Sequence, residues 1–283
     1  MNFNEEPIRF ACDEESLFGI LARPQHSAEL GIVVVVGGPQ TRVGSHRQFT
    51  LLARALAAAG YPVLRFDYRG MGDSTGNQRD FEAVSPDIGA AIDALQIACP
   101  AVARVVLWGL CDAAAASLLY WDDTRDQRIA ALCLLNPWVR SEATLAKTQV
   151  KHYYGQRLMQ KEFWTKLLSG KLRVGSAVKG FFGKLKQASA KVGDSLGFQG
   201  RMARSLKEFP GRVLLLLSGN DYTAKEFLEY AASAEPWYGI LERPDIQRID
   251  INGADHTFSS MAWRDAVSSA TIEWLRTPLE LPR

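Results

Sequence analysis

Hydrophobic positions along the chain repeat with two different periods, and the switches between them outline the elements. Pro7 to Cys12 and Leu17 to Ala22, separated by the polar turn Asp13-Glu-Glu-Ser16, predict an opening antiparallel hairpin. Gly31-Ile-Val-Val-Val-Val36 is uniformly apolar, the pattern of a strand covered on both faces. Phe49, Leu52 and Leu56 then recur at helical spacing, with Gly60 to end the helix. Pro62 to Phe66 predicts the next strand, which runs into the glycine-broken loop Asp67-Tyr-Arg-Gly-Met-Gly-Asp-Ser74. A helix through Ile88, Ile92 and Leu95 precedes a short strand, Val105 to Trp108, and an Ala-rich helix follows. Ile129 to Leu135 predicts a buried strand stopped by Asn136-Pro137. Two later strands, Val213 to Leu217 and Ile246 to Ile251, flank helical sequence around Phe227 to Ala232. A last amphipathic helix carries Phe258, Met261, Val267, Ile272, Trp274 and Leu275. Strands alternating with helices at this spacing predict an α/β protein, a mostly parallel central sheet flanked by helices.

The alternation stops between Val139 and Pro210. Residues 140–208 read as an inserted helical cap, leaving a core made of 1–139 and 209–283. In the insertion Phe163, Trp164, Leu167, Leu168, Phe181, Phe182 and Leu185 recur at roughly helical spacing. Lys161, Lys166, Lys171, Lys179, Lys184 and Lys186 lie between them. One apolar side is thus expected to cover a pocket while the lysines face outward.

Composition changes this picture in two respects. The chain of 283 residues is 47% hydrophobic and 23% charged, enough for a sizeable core. It has no apolar run long enough to predict a membrane span, and the acidic start Met1-Asn-Phe-Asn-Glu-Glu lacks the order of a signal peptide. Cys12, Cys99, Cys111 and Cys133 are scattered without a C-x-x-C pair, which argues against a zinc site or disulfide framework and fits a reducing cytosol. The net charge of +2 hides an asymmetry: residues 141–210 hold 14 Lys/Arg against 4 Asp/Glu, and the remainder 19 against 27. A basic cap suits an anionic partner, such as an acyl carrier, a coenzyme A thioester, an acidic polysaccharide or an anionic membrane surface at the inner membrane face. No nucleic-acid-binding module accompanies the charge, and no phosphate or dinucleotide loop is present, so neither nucleic acid nor a cofactor is expected.

The chemistry concentrates at strand ends. Gly109-Leu110-Cys111-Asp112-Ala113, between the strand ending at Trp108 and the Ala-rich helix, has the context of a nucleophile elbow, with a thiol at the apex. A thiol there lies at a helix N-terminus, whose dipole favours the thiolate. After Val213 to Leu217 comes Ser218-Gly-Asn-Asp221, and after Ile246 to Ile251 comes Asn252-Gly-Ala-Asp-His256. The order nucleophile, acid, histidine gives Cys111, Asp221 and His256 as candidate catalytic residues. His26, His46 and His152 fall in a polar turn, near a helix start and in the cap; Asp255 and Asp112 are the competing acids. Backbone N–H groups of Asp112 and of Gly38 are the candidate oxyanion-hole donors, with Pro39 stiffening the turn.

On these residues the chain resembles the α/β-hydrolase superfamily over nearly its whole length. Gly37-Gly38-Pro39 is similar to the HGGP-type oxyanion loop, with Val36 where histidine is usual, and residues 67–74 match the D-x-R-G-x-G-x-S loop of these hydrolases. The stretches Val35 to Phe49, Gly109 to Ala113 and Ser218 to Phe227 resemble the exosortase A system-associated hydrolases, family 1. Those bacterial proteins are encoded near machinery for exopolysaccharide production and C-terminal protein sorting, and the resemblance supplies no substrate. The cysteine elbow is also similar to that of dienelactone hydrolases, whose cap is much smaller. Cys111 for serine and Ala113 for glycine are departures from the superfamily pattern. The resemblance implies an esterase or thioesterase acting through a Cys111 acyl-thioester; the alternatives are an acyltransferase and a binding or scaffold protein that keeps the fold.

Overall fold

The computed structural model describes residues 2–38, 40–140 and 197–277. The insertion's apolar and basic positions from Lys161 to Lys186, together with His152 and Pro39, lie outside the described residues. Residues 1–139 and 197–283 form one compact unit and 140–196 a second. The first unit carries the sheet and every candidate site residue.

Eight strands make one sheet: β1 (Phe3–Cys12), β2 (Glu15–Pro24), β3 (Leu30–Val35), β4 (Val63–Asp67), β5 (Arg104–Leu110), β6 (Ile129–Leu135), β7 (Arg212–Ser218) and β8 (Ile246–Ile251). Their spatial order is β1-β2-β4-β3-β5-β6-β7-β8. β1 and β2 pair antiparallel from Phe3 opposite Pro24 to Cys12 opposite Glu15, and β2 meets β4 antiparallel. Every pairing from β4 to β8 is parallel. Six helices among the described residues connect them: α1 (Gln48–Ala58), α2 (Ser85–Ala98), α3 (Asp112–Thr124), α4 (Phe198–Glu208), α5 (Tyr222–Ser233) and α6 (Met261–Arg276).

The uniformly apolar strands are explained by two cores, one on each face of the sheet. Along β3 and β5, Val33, Val105 and Leu107 point into one apolar cluster while Ile32, Val34, Val106 and Trp108 point into the other. The first is closed by α2, α3, α4 and α5, through Ile92, Leu118, Met202 and Phe227 among others. The second is closed by α1 and α6, through Phe49, Leu56, Val267 and Trp274. The period of two in these strands thus serves both layers, and neither face of β3 or β5 is left polar.

Two elements differ from the sequence expectation. α4 belongs to the core unit, so the insertion ends at Leu196 rather than at 208. The fully buried apolar stripe of α4 is narrow, Met202, Ala203 and Leu206, and its cations give it the look of the basic cap. Those cations have a structural use: Arg201 and Arg204 reach Asp122 of α3, whose side chain is 1% exposed. Burial alone raises the Asp122 carboxyl, but the bonds from Arg204 and Arg201 outweigh it and hold its pKa below the ordinary value. Asp122→Ala is expected to lower stability by about 2 kcal/mol, the loss of charge-assisted bonds across α3 and α4, seen as a reduced denaturation midpoint. The second difference is Phe258, which lies before α6 with φ 50°; the helix starts only after Ser260, whose hydroxyl caps it by accepting the Trp263 N–H.

The chain leaves β3 on one side toward α1 and β4, and returns through α2 to β5 on the other side. Loops after β3 and β5 therefore diverge, and the crevice between them lies beyond the carboxyl ends of the parallel strands. That is where open α/β sheets place their functional groups.

Candidate active site

Cys111 is held where β5 turns into α3. Its backbone adopts φ 63° and ψ −122°, a region costly for a residue with a side chain, about 1–3 kcal/mol. Neighbouring backbone fixes this geometry: the Cys111 N–H donates to the Leu135 carbonyl at 2.8 Å, and the Cys111 carbonyl accepts from Ala114 and Trp138. Gly109 makes the turn possible, since a Cβ there would sit 2.6 Å from the Ala113 carbonyl carbon. Ala113 is itself fully buried, so its methyl fits where the hydrolase pattern has glycine. The half-buried thiol thus stands at the N-terminus of a 13-residue helix.

Asp221 follows β7 and is the N-cap of α5. Its carboxylate accepts from Thr223 N–H at 3.1 Å and Ala224 N–H at 3.2 Å, which leaves little freedom to turn. His256 follows β8 through a turn at Gly253, where φ is +71°. The two meet at 2.8 Å between His256 Nδ1 and Asp221 Oδ2. Burial works to raise the Asp221 carboxyl, but His256 and the two capping N–H groups prevail and keep its pKa below the ordinary value. His256 is pushed up to about 10, first by the hydrogen bond with Asp221 and next by one with the Cys111 thiol. Asp221 holds Nδ1, and the Cys111 thiol is near enough to the ring to help raise its pKa, so the three candidate side chains gather at one end of the sheet. Asp255 is turned elsewhere: its carboxylate accepts from Thr257, from Ser259 N–H and from the Ser259 hydroxyl.

Residues 32–270 match the family described as Alpha/beta hydrolase. The chain belongs to that family. No curated protein matches this α/β hydrolase by sequence. Among solved structures it is similar to the esterase Pf2001 of Pyrococcus furiosus, with 15% identity and a TM-score of 0.65, covering 98% of this chain and 94% of that one. It is also similar to a dienelactone hydrolase from Anabaena variabilis (14%, TM-score 0.64, 99% and 100% covered). A third is Est1E from Butyrivibrio proteoclasticus, solved with ferulic acid (15%, TM-score 0.61, 95% and 97% covered). At such identities the likeness is one of fold.

Asn136 is a site residue of this α/β hydrolase that the sequence pattern marks only as a strand stop. It is buried at the end of β6 with φ 42°. Its side chain donates to the Ser218 hydroxyl and, at 3.3 Å, to the His256 carbonyl, and accepts the Ser218 N–H at 2.9 Å. One side chain thereby ties the ends of β6 and β7 to the histidine loop. Asn136→Ala is expected to leave Ser218 N–H buried and unpaired, costing about 1–3 kcal/mol. A histidine loop loosened by even about 1 Å would slow acylation on the order of a hundredfold, measurable by single-turnover kinetics.

The loop after β3 brings the candidate oxyanion donors together with an unexpected occupant. Gly38, at φ +59°, donates its N–H to the Asp112 carboxylate at 2.7 Å. Nearby backbone N–H groups, that of Gly38 first, favour the charged form of this carboxyl. Burial is the larger influence and leaves the Asp112 pKa above its ordinary value despite those groups. The adjacent Gly37 has no room for a side chain, because a Cβ would run into this carboxylate and come within 2.9 Å of Ala113 N. The sequence pattern assigns Asp112 a part through its backbone alone; the structure adds its side chain.

Among the described residues, no group of three or more His, Cys, Asp or Glu could hold a metal ion. No helix among them is long and apolar enough to cross a membrane.

Proposed function

We propose that the protein is an acyl hydrolase of the esterase or thioesterase type, working through a Cys111 acyl-enzyme. The observation that carries this reading is the Asp221–His256 contact at the same end of the sheet as Cys111, whose thiol is presented on a strained turn at a helix N-terminus. His256, pushed up to about 10, is a ready acceptor for the Cys111 proton as the sulfur attacks, and holds it as an imidazolium. Sulfur attacks the acyl carbon, a C–S bond forms, and the carbonyl π pair moves to oxygen. When that pair returns, the bond to the leaving alkoxide or thiolate breaks, and the leaving group takes the His256 proton. Water then attacks the thioester, its proton passing to His256; the C–S bond breaks with its electron pair going to the Cys111 sulfur, the carboxylic acid is released, and the proton on His256 restores the starting pair. Activated esters and thioesters suit a soft thiolate nucleophile.

The basic insertion supports an anionic acyl donor or an anionic bilayer at the cytoplasmic face as partner. Residues 141–196 still hold 11 Lys/Arg against 3 Asp/Glu once α4 is set aside. A place beside exopolysaccharide or exosortase machinery rests on the family resemblance alone. A second reading, a binding protein that keeps the fold, draws on the Asp112 carboxylate occupying the Gly38 N–H. Incubation with an aryl ester and an acyl-CoA panel decides between them. A stoichiometric burst with the acyl group on Cys111 supports the enzyme. Failure of every acyl donor to label Cys111, while thiol reagents still reach it, supports the binding protein.

A further inference from the structure

The oxyanion hole of an acyl hydrolase must receive the negative oxygen of the tetrahedral intermediate. In this protein the Gly38 N–H, one of the two candidate donors, already holds an anion, the Asp112 carboxylate, at 2.7 Å. Two oxyanions cannot share that place, because like charges at hydrogen-bond range repel and that donor is already used. We propose that the Asp112 side chain is a resident occupant of the oxyanion hole, which an acyl donor must displace before Cys111 is acylated, so that Asp112 sets which donors the enzyme accepts. The inference rests on the acyl-hydrolase reading above.

Displacement needs somewhere for the carboxylate to turn. One buried donor without a hydrogen-bond partner feels the Asp112 charge: the Tyr68 hydroxyl, at 6% exposure. Burial first, and then the Asp112 charge, push the Tyr68 hydroxyl well above its ordinary pKa, so Tyr68 remains a donor throughout. A donor placed by the substrate does the same service. Acyl groups with a hydroxyl or amino group next to the scissile carbonyl give the displaced carboxylate a partner. Plain alkanoyl groups bring no donor and leave Tyr68 to serve alone. The resting site therefore disfavours simple acyl donors and favours hydroxy- or amino-acyl ones.

Asp112→Ala removes the occupant and keeps the backbone N–H; Asp112→Asn, nearly the same shape without the charge, covers the case in which the alanine variant folds poorly. The first readout needs no acyl chemistry. Iodoacetamide alkylates Cys111 without forming an oxyanion, and acetate at constant ionic strength competes only if it can enter the hole. Acetate is expected to slow alkylation of the alanine variant about tenfold, that of the asparagine variant less, and to leave the parent unaffected. The second readout is single-turnover acylation by 4-nitrophenyl butyrate and its 2-hydroxy analogue, each corrected for spontaneous hydrolysis. Asp112→Ala is expected to speed acylation by the butyrate about tenfold and to erase the parent's preference for the hydroxy ester. Tyr68→Phe is expected to slow the butyrate reaction in the parent background and not in Asp112→Ala. Acetate that fails to protect the alanine variant, or protects the parent equally, overturns the proposal even if every variant is acylated. Protection of the alanine variant with no acylation of any variant upholds the occupant and sinks the acyl-hydrolase reading.

Discussion

On the proposed reaction, Cys111→Ala is expected to remove covalent acylation completely, and Cys111→Ser is expected not to restore it at neutral pH. The alanine result follows from the absence of a second nucleophile at the elbow: the other thiols, Cys12, Cys99 and Cys133, are all buried. Burial pushes Cys12 up to about 11 and raises Cys99 and Cys133 as well, so none offers a thiolate in its place. The serine result is more informative because it separates two kinds of site. A serine hydroxyl must lose its proton during attack, which requires a neutral imidazole. His256 is pushed up to about 10, with the Asp221 bond as the first cause, and that bond survives the substitution. The substitution takes away the Cys111 share of that rise, and a hydroxyl gives up its proton far less readily than a thiol, so serine acylation is expected to fall by about a thousandfold or more. It should recover partly as pH rises and the ring loses its proton. Single-turnover acylation with an aryl ester across pH 6–10 checks both, and a serine variant as fast as the parent at neutral pH would show an ordinary serine-hydrolase site.

The elbow was legible in the sequence because its constraints are local. A strand of four apolar residues, small residues on either side of the apex and an Ala-rich continuation leave few other geometries. Asp221 and His256 were legible because each stands directly after a strand, and β6, β7 and β8 are parallel neighbours, so their ends are carried to the same edge. What escaped reading depends on side-chain direction or on partners distant in sequence. Asn136 is placed by contacts to Ser218 and His256, 82 and 120 residues away, which no local pattern encodes. The position of Asp112 predicts its backbone N–H, while the turn of its carboxylate toward Gly38 depends on a loop 74 residues earlier. α4 escaped because the apolar stripe that buries it is narrower than its charged face, and charge was the stronger sequence signal.

The pH dependence tests the histidine itself. Its folded pKa, about 10, lies above the ordinary value of 6.5. The stabilisation gained by the imidazolium between Asp221 and Cys111 is therefore fully present below about pH 6.5 and is lost as pH rises through about 10. The same proton must be delivered to the leaving group, so the alkaline limb of kcat/KM for a thioester should fall near pH 10, not near pH 6.5. Asp221→Asn removes the first of the causes that raise His256 and should bring that limb down toward the ordinary histidine range. It should also slow the reaction at neutral pH by about two to four orders of magnitude, because the ring loses its fixed tautomer and its counter-charge. The amide still occupies the N-cap of α5 and accepts one of its two backbone bonds, so the denaturation midpoint should move much less than the rate. A limb that stays near pH 10 in Asp221→Asn would place the raising influence on another group and remove Asp221 from its role as the partner that holds the proton on His256.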